Sequence, residues 1–343
     1  MKRRVLVLAH PTLVPPASQR GVSQRERDEW RTEYDVVRTL RAAGHVVEVL
    51  GLDDSLEPLR RALARLRPQV VFNLLEEFHG VVDYEPYVVA CLELLRRRYT
   101  GCNPRGLMLA HDKMLAKQLL AAAGVPTPRA ALARRGAPLP ALAGLSYPLF
   151  VKSATEDASL GISQRSVVRT PAALRARVRF IHRSTRSDAL IEEYVPGREI
   201  YCAMLGNERP RCLPLRELRF AALRAGAPRI ATRQVKWSRS YQRRHGIGTR
   251  AAGALPAPLA RRLRRLAHQA WHALRLSGYA RLDFRVRDDG AIFLLEANPN
   301  PCLAAREDFA AAARAGGITY GALLERIMAL GRAQRVPWRG QSR

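Results

Sequence analysis

Apolar and polar positions fall into blocks along the first hundred residues, and these blocks predict strands that alternate with helices. Short apolar runs typical of buried strands occupy residues 5–9, 46–50 and 70–74. Apolar residues at helical spacing fill residues 33–43, 56–67 and 85–97. This order predicts a parallel sheet with right-handed crossovers. No Gly-x-Gly-x-x-Gly follows the first strand, so the dinucleotide-binding fingerprint is missing.

The middle of the chain predicts a helix over 111–123, capped by Asp112 and ended by Gly124, and short strands over 147–152 and 189–194. Residues 225–254 are polar, basic and contain glycine, which predicts a mobile loop. An amphipathic helix follows over 259–274, and its predicted buried stripe consists of Leu259, Leu263, Leu266, Ala270, Trp271 and Leu274.

The most informative pattern is a predicted hairpin between residues 278 and 300. Apolar residues alternate with charged ones before Asp289-Gly290, which favours a two-residue turn. Such a turn places Asp283 opposite Glu296, and Arg281 opposite Asn298. It also places four residues of the returning strand on one face: Ile292, Leu294, Glu296 and Asn298.

Two interpretations of these acids remain open. Side chains directly opposed across a hairpin have Cβ atoms about 4.5–5.5 Å apart. Two carboxylates that close repel each other unless one is protonated or a cation lies between them. Carboxylate and amide oxygens suit Mg²⁺, so Asp283, Glu296 and Asn298 are candidate metal ligands. Alternatively, the hairpin is exposed and its acids pair with Arg281 and Arg285. A three-residue loop would break the register and weaken the metal interpretation.

Lysine is rare in this chain: of 58 basic residues, only five are lysine. Among these, Lys113, Lys152 and Lys236 are candidates for holding phosphates, because a lysine ammonium is a compact point charge. Lys152 precedes a loop of small residues, 153–161, whose amides could fold over phosphates, although it is not a Walker motif. Glu192 and Glu199 flank a tight turn and could accept hydrogen bonds from adenine or ribose. Surface lysines and solvated acids are the alternative reading.

Composition narrows the class of protein. The 343 residues carry a net charge of +28, spread along the whole chain, which indicates a coding bias toward arginine more than a nucleic-acid-binding face. The five cysteines include no Cys-x-x-Cys pair, which argues against a disulfide framework or a zinc site and for a reducing, cytoplasmic location. The basic residues 2–4 and the apolar run after them are too short for a signal peptide, and no segment is long enough to predict a membrane span.

Several short motifs, taken in order, resemble the ATP-grasp superfamily and, within it, the D-alanine–D-alanine ligases. The resemblance covers nearly the whole chain, to about Leu330. The matching segments are His79-Gly80 with Asp83, Leu92-Glu93-Leu94-Leu95 with Tyr99-Thr100-Gly101, Asp112-Lys113, the Lys152 strand, Arg281-Leu282-Asp283 and Glu296-Ala297-Asn298-Pro299.

The resemblance implies a fold and three domains. A Rossmann-like α/β domain, called pre-ATP-grasp, would occupy residues 1–108. The two α+β lobes of the ATP-grasp fold would follow, the central lobe over 109–196 and the C-terminal lobe with the metal hairpin over 197–335. Family members are commonly homodimers, so a homodimer is possible here too.

The resemblance also implies roles for residues. Lys113 and Lys152 would hold ATP phosphates, Glu192 would contact adenine and Glu199 the ribose. Ser159 would lie in the phosphate loop, and Lys236 would reach the terminal phosphate. Asp283, Glu296 and Asn298 would bind two magnesium (or manganese) ions. Arg281 would stabilise the oxyanion that forms when an amine attacks an acyl phosphate.

The amino-acid half of the site departs from the family pattern. A serine pair in the phosphate loop becomes Ala158 and Ser159, and a tyrosine beside Lys236 becomes Trp237. Near the acceptor site, a glycine becomes Cys302 and a serine becomes Glu307, whose charge would repel a carboxylate substrate unless Arg306 intervenes. His79 is a further candidate for touching substrate, whereas the family's substrate glutamate could be Glu26 or Glu33.

The sequence therefore predicts an ATP- and Mg²⁺-dependent carboxylate–amine ligase whose acceptor is not D-alanine. Its partners would be ATP and small carboxylate and amine substrates, without membrane or nucleic acid. The alternative is a nucleotide-binding regulator or scaffold without ligase activity.

Overall fold

The computed structural model describes residues 2–155, 161–223, 226–253 and 255–336. Ala158 and Ser159 lie outside these residues, and Trp237 is described by its backbone alone. Three sheets follow one another along the chain. The first is parallel, in the order β2-β1-β3, as its apolar runs predict. Its strands are β1 (Arg4–Ala9), β2 (Val46–Gly51) and β3 (Val70–Asn73).

Four helices accompany the first sheet: α1 (Gln24–Glu29), α2 (Arg31–Ala42), α3 (Glu57–Leu66) and α4 (Glu85–Leu94). Helix α1 was not predicted, because its six residues are all polar and show no apolar spacing. A capping box starts it, because Ser23 Oγ accepts from the Glu26 backbone and the Glu26 carboxylate accepts from the Ser23 backbone.

The helix predicted over 111–123 is present as α6 (Lys113–Ala122), and an additional helix that was not predicted, α5 (Pro104–His111), ends just before it. Asp112 separates them in an extended conformation. Its carboxylate accepts hydrogen bonds from the backbone of Met114 (3.1 Å) and Leu115 (2.9 Å), so the predicted cap is present one residue after the predicted start.

The second sheet is antiparallel, in the order β4-β7-β5-β6. Its strands are β4 (Ala130–Ala133), β5 (Leu149–Ser153), β6 (Val167–Val168) and β7 (Ala189–Glu193). Helix α7 (Pro171–Ser184) packs Leu174, Val178 and Ile181 against it to form a separate small core.

The third sheet is antiparallel and the largest, with β11-β10-β8-β12-β13 in order and β9 added to β8. Its strands are β8 (Arg198–Gly206), β9 (Arg211–Cys212), β10 (Arg216–Phe220), β11 (Ile247–Ala251), β12 (Gly278–Val286) and β13 (Ile292–Asn298). The prediction of a loop over 225–254 is wrong, because this range contains α8 (Arg233–Trp237), α9 (Arg239–His245) and the edge strand β11. Side-chain caps start both helices, from Thr232 and Ser238.

Three longer helices complete the fold: α10 (Ala257–Ala273), α11 (Asp308–Ala315) and α12 (Tyr320–Ala333). The predicted stripe of α10 is buried except for Leu259, which is half-buried. Apolar residues of α11 and α12 share one core cluster with β1, β3 and Tyr279 of β12, so the C-terminal helices pack onto the first sheet. No helix in the described ranges is both long and apolar enough to cross a membrane.

Candidate active site

The hairpin of β12 and β13 pairs Asp283 with Glu296 and Arg281 with Asn298, as the sequence predicts. The predicted two-residue turn is wrong. Arg287 and Ala291 close a three-residue loop, and the pairs nearest the turn, such as Phe284 with Leu294, are one residue out of the predicted register. A β-bulge between Leu294 and Glu296 corrects that offset, because the additional residue restores the pairing.

The bulge also changes which side chains share a face. Ile292 and Leu294 belong to the main apolar core, together with Ala297. Glu296 and Leu295 instead line a cleft on the other side, next to Asp283. The prediction that Ile292, Leu294, Glu296 and Asn298 occupy one face is therefore wrong. The bulge lets β13 bury its apolar half and still direct its carboxylate into the cleft.

Asp283 is buried and held by Arg281. Its two carboxylate oxygens accept from Arg281 Nε (2.7 Å) and a terminal nitrogen (2.8 Å), and the guanidinium lies 4.6 Å from the centre of the Tyr201 ring. Burial raises the pKa of Asp283. The positive charges of Arg281 and Lys236 oppose this rise, whereas the negative charge of Glu296 adds to it. The alternative interpretation, in which the hairpin acids pair with arginines, therefore holds for Asp283 and Arg281. The pair is buried, however, and the hairpin is not exposed there.

A second buried charge cluster joins β5, β7 and α6. The Glu192 carboxylate lies 3.0 Å from Lys152 Nζ and 2.6 Å from Lys117 Nζ. Lys117 also donates to Pro128 O (2.8 Å), and Lys152 to Leu295 O at the bulge (3.3 Å). Burial alone would raise the pKa of Glu192, but the two lysines outweigh it and the net pKa is lowered.

Lys113 begins α6 and reaches the hairpin. Its Nζ lies 3.6 Å from Glu296 Oε1 and 3.5 Å from Thr155 O, at the start of the small-residue loop. Lys113 therefore links the hairpin to that loop.

Glu199 lies on β8 and is also paired. It accepts from Arg285 (2.8 Å) and from the Tyr201 hydroxyl (3.1 Å). Lys236, in the last turn of α8, lines the same cleft as Asp283. Its positive charge opposes the rise in the pKa of Asp283.

These groups surround one cleft of about 620 Å³ between the second and third sheets, a volume that includes its open mouth. Its polar lining contains six predicted site residues: Lys152, Glu192, Glu199, Lys236, Asp283 and Glu296. Its apolar lining includes Phe150, Ile162, Val195, Ile230 and Leu295. A lining that combines charged groups with apolar side chains suits the phosphates and the base of a nucleotide.

Three predicted substrate residues, Cys302, Glu307 and His79, are not among the described residues that line this cleft. Cys302 lies in the loop after β13, where its thiol is 3.2 Å from Thr32 Oγ1, and burial raises its pKa to about 12. Glu307 is the N-cap residue directly before α11, and desolvation together with the charge of Asp308 raises its pKa. His79 is exposed in a turn after β3, and its backbone donates to Asp53 O (2.7 Å).

The structure distinguishes the two candidate substrate glutamates. Glu26 is exposed and serves the capping box of α1. Glu33 is only 4% exposed, and its Oε2 has no hydrogen-bond partner among the described residues. Burial raises the pKa of Glu33 to about 8, with a further contribution from Glu76.

Sequence reasoning missed three residues of this region. Lys117 follows Lys113 by four positions, so helical spacing together with the rarity of lysine could have identified it. Tyr201 and Asn300 left no comparable signal, because their partners are distant in sequence.

Asp283, Glu296 and Asn298 have the chemistry to hold a divalent cation. Asp283 is desolvated and faces a second carboxylate, an arrangement that a cation would relieve. Its oxygens are bonded to Arg281, yet a carboxylate offers about four lone-pair directions, so two remain. Among the described residues no group of three His, Cys, Asp or Glu side chains could hold a metal, so a third ligand here would be the Asn298 amide oxygen.

Comparison with known proteins agrees with this geometry. The family model described as "D-ala D-ala ligase C-terminus" matches residues 123–329. The chain is 32% identical to "Uncharacterized protein y4sG" of Sinorhizobium fredii, covering 87% of this chain and 86% of that one. It is 31% identical to D-alanine–D-alanine ligase B of Chromobacterium violaceum, covering 90% and 94%.

A solved D-alanine–D-alanine ligase from Bacillus anthracis, complexed with ATP, superposes with a TM-score of 0.74 over 96% of this chain and 97% of that one, at 22% identity. This likeness confirms the predicted fold class, a parallel α/β sheet followed by the antiparallel sheets of an ATP-grasp fold. With a family model that covers more than half of its length and relatives above 30% identity, the chain belongs to the D-alanine–D-alanine ligase family of the ATP-grasp superfamily.

Proposed function

We propose that this chain is an ATP- and Mg²⁺-dependent ligase that joins a carboxylate to an amine through an acyl phosphate, and that its acceptor is not D-alanine. One observation carries the proposal. Two opposed carboxylates on the β12–β13 hairpin face a cleft that also contains the buried cluster of Lys152 and Glu192. Phosphoryl transfer requires positioning and charge neutralisation above all, and this cleft supplies both.

Three lysines would bind the phosphates of ATP, from three elements around the cleft. Lys152 is held by Glu192 and the Leu295 carbonyl, and Lys113 by Glu296, so both ammonium groups are oriented before ATP arrives. Lys236 would approach from α8. Ser159 would add a hydroxyl from the phosphate loop.

Two acids would contact the nucleoside. Glu192 would accept from the adenine amino group and Glu199 from the ribose. Each is buried and already fixed by cationic partners, so each keeps its orientation.

Asp283, Glu296 and Asn298 would hold the magnesium ions, which when bound neutralise charge on the transferred phosphoryl group. Arg281 would stabilise the oxyanion formed as the amine attacks. Its bidentate contact with Asp283 fixes the guanidinium in the plane that this role needs.

The acceptor side supports a substrate without a carboxylate. Burial raises the pKa of Glu307, and the charges of Arg239, Arg281 and Arg31 oppose that rise, so this carboxylate lies within their reach, near the proposed oxyanion site. A negative side chain there opposes a carboxylate-bearing acceptor. Trp237, Cys302 and His79 would complete the amino-acid half of the site. The boundaries at residues 108 and 196 remain our proposal for its three domains.

Screening carboxylate and amine pairs for ADP release, with ATP and Mg²⁺ supplied, tests the proposal. We expect at least one pair to release ADP in proportion to an amide product identified by mass spectrometry, and D-alanine alone to be a poor substrate. Efficient use of D-alanine would refute the acceptor assignment. Tight ATP binding without ADP release for any pair would refute the ligase and favour a nucleotide-binding regulator.

A further inference from the structure

The segment after β13 contains a single backbone donor between two prolines. It reads Asn298-Pro299-Asn300-Pro301, and proline has no N–H. The N–H of Asn300 donates to Asn298 Oδ1 at 2.8 Å. The orientation of the Asn298 amide therefore depends on where the backbone of Asn300 is held.

The Asn300 side chain fixes that backbone by three hydrogen bonds in three directions. Its Nδ2 donates to Leu75 O (3.1 Å) and to Glu85 Oε1 (3.0 Å), and its Oδ1 accepts from the Tyr279 hydroxyl (3.1 Å). Both amide hydrogens and one oxygen lone pair are used, so the amide can take only one orientation.

The partners of Asn300 are themselves rigid. Leu75 and Tyr279 are fully buried, and Glu85 is 2% exposed at the start of α4. The second oxygen of Glu85 lies 3.4 Å from Nε2 of the buried His111, at the end of α5. Leu75 and Glu85 thus anchor the segment to the part of the chain between β3 and α4, and Tyr279 anchors it to the start of β12.

We infer that Asn300 is a positioning residue, which together with Glu85 holds Asn298 in the orientation that binds the divalent cation. The inference rests on the proposed function, since it requires Asn298 to be a ligand. Partners of metal ligands commonly change metal affinity by about 10–100-fold when they are removed.

The test measures Mn²⁺ affinity directly, by electron paramagnetic resonance of free Mn²⁺ titrated into the full chain with a non-hydrolysable ATP analogue. Asn300→Leu keeps the branched shape and the number of side-chain heavy atoms but removes the hydrogen bonds. We expect about 10–100-fold weaker Mn²⁺ binding, and a parallel rise in the Mg²⁺ concentration needed for half-maximal ADP release.

Asn207→Leu is the matched control. Asn207 is also partly buried and joins two elements, since it donates to Leu330 O and accepts from the Gly278 backbone, both at 3.1 Å. Its loss should lower the melting temperature and leave Mn²⁺ affinity within about twofold. If both variants weaken Mn²⁺ binding equally, the effect is a general loss of stability and the positioning role is refuted.

A pair of variants at Glu85 tests the role without changing the segment itself. Glu85→Gln keeps an oxygen that accepts from Asn300, whereas Glu85→Leu removes it. We expect the glutamine variant to stay within about threefold of the parent Mn²⁺ affinity and the leucine variant to approach Asn300→Leu. Equal losses in both would mean that the charge of Glu85 matters and not its hydrogen bond, which overturns the inference.

Failure of the inference differs from failure of the proposed function. Unchanged Mn²⁺ affinity in Asn300→Leu, with weaker binding in Asn298→Ala, would overturn the positioning role alone. Unchanged Mn²⁺ affinity in both Asn298→Ala and Asp283→Asn would remove the metal site, and with it the proposed function.

Discussion

The two halves of the candidate site treat their buried charges differently. On the nucleotide side, Glu192, Glu199 and Asp283 each have cationic partners within 3.1 Å. On the amino-acid side, Glu33 has a buried oxygen without a hydrogen-bond partner among the described residues, and the pKa of Glu307 is raised.

This difference shows which buried charges of each half already have partners in the protein before a ligand binds. Unfavourable burial of Glu192 and Glu199 is offset by cationic side chains of the protein itself, and we propose that this part of the site is organised in advance for ATP. The pKa of Asp283 stays raised, which leaves room for a bound cation. We infer that the charges of the amino-acid half are offset by its substrate. Family resemblance in the sequence is accordingly strong for the first half and altered in the second.

The largest expected effect comes from the hairpin acids. Asp283→Asn keeps a hydrogen bond to Arg281 but removes a charged ligand. Glu296→Gln likewise removes a charged ligand, on the opposite strand. Each should lower the rate of ADP release by about 10³-fold or more, because the charge on the phosphoryl group loses its counterion site.

Asp289→Ala is the control for the hairpin, since Asp289 is an exposed acid at its turn, paired with Arg287. Activity should be retained there. Unimpaired turnover in Asp283→Asn or Glu296→Gln would contradict the metal assignment and remove the contrast between the halves.

Glu33→Gln tests the amino-acid half by stability. The folded-state pKa of Glu33 is about 8, above its ordinary value of 4.5, so between these values the folded protein retains a proton that the unfolded chain releases. Stability therefore falls as pH rises through this window. The glutamine variant does not lose stability in this way. Between pH 5 and 8 its free energy of unfolding should rise, relative to that of the parent, by an amount on the order of 4 kcal/mol.

Urea unfolding of both proteins at several pH values measures this difference. A constant difference between them across that range would show that Glu33 ionises normally. The amino-acid half would then hold no uncompensated carboxyl at this position.

Lys152→Met tests how far the nucleotide half depends on paired charges. Loss of the ammonium leaves Glu192 with Lys117 and should destabilise the fold by about 1.5–3 kcal/mol, the contribution of one hydrogen bond to a charged group. The KM for ATP should rise about 10–100-fold, which corresponds to the loss of one phosphate contact. Thermal unfolding and ADP-release kinetics measure the two effects.

The double variant Lys152→Met with Glu192→Gln separates the two effects of losing Lys152. It should lose further stability, because Lys117 is then left buried without a carboxylate, and its ATP affinity should stay low, because the phosphate contact is still missing. The exposed lysine variant Lys2→Met serves as the control and should change neither quantity.

The smallest expected effect is a change of acceptor preference in Glu307→Ser. Removing the carboxylate should raise kcat/KM for carboxylate-bearing acceptors by about tenfold relative to simple amines, through loss of repulsion. The same ratio should not change in Glu57→Ser, an exposed acid paired with Arg61. An unaltered ratio in both variants would place Glu307 outside the acceptor site.

Much of the fold could be predicted from local pattern. The three parallel strands, the cap at Asp112 and helix α10 follow from periodicity and capping residues, which act over a few positions. Helix α1 and the elements between 233 and 251 escaped prediction, because short polar helices depend on caps and on tertiary contacts more than on apolar spacing.

The strand–helix order, the family and the identity of the charged groups in the cleft could be inferred from the sequence. The pairing of Asp283 with Glu296 was also predicted, although for the wrong reason. The three-residue loop and the compensating bulge that produce this pairing appear only in the folded sheet. Register depends on both partners of a strand pair and on the core that β13 must fill, and no local pattern contains that information. The same holds for Lys117 and Asn300, whose partners meet only once the three sheets have packed together.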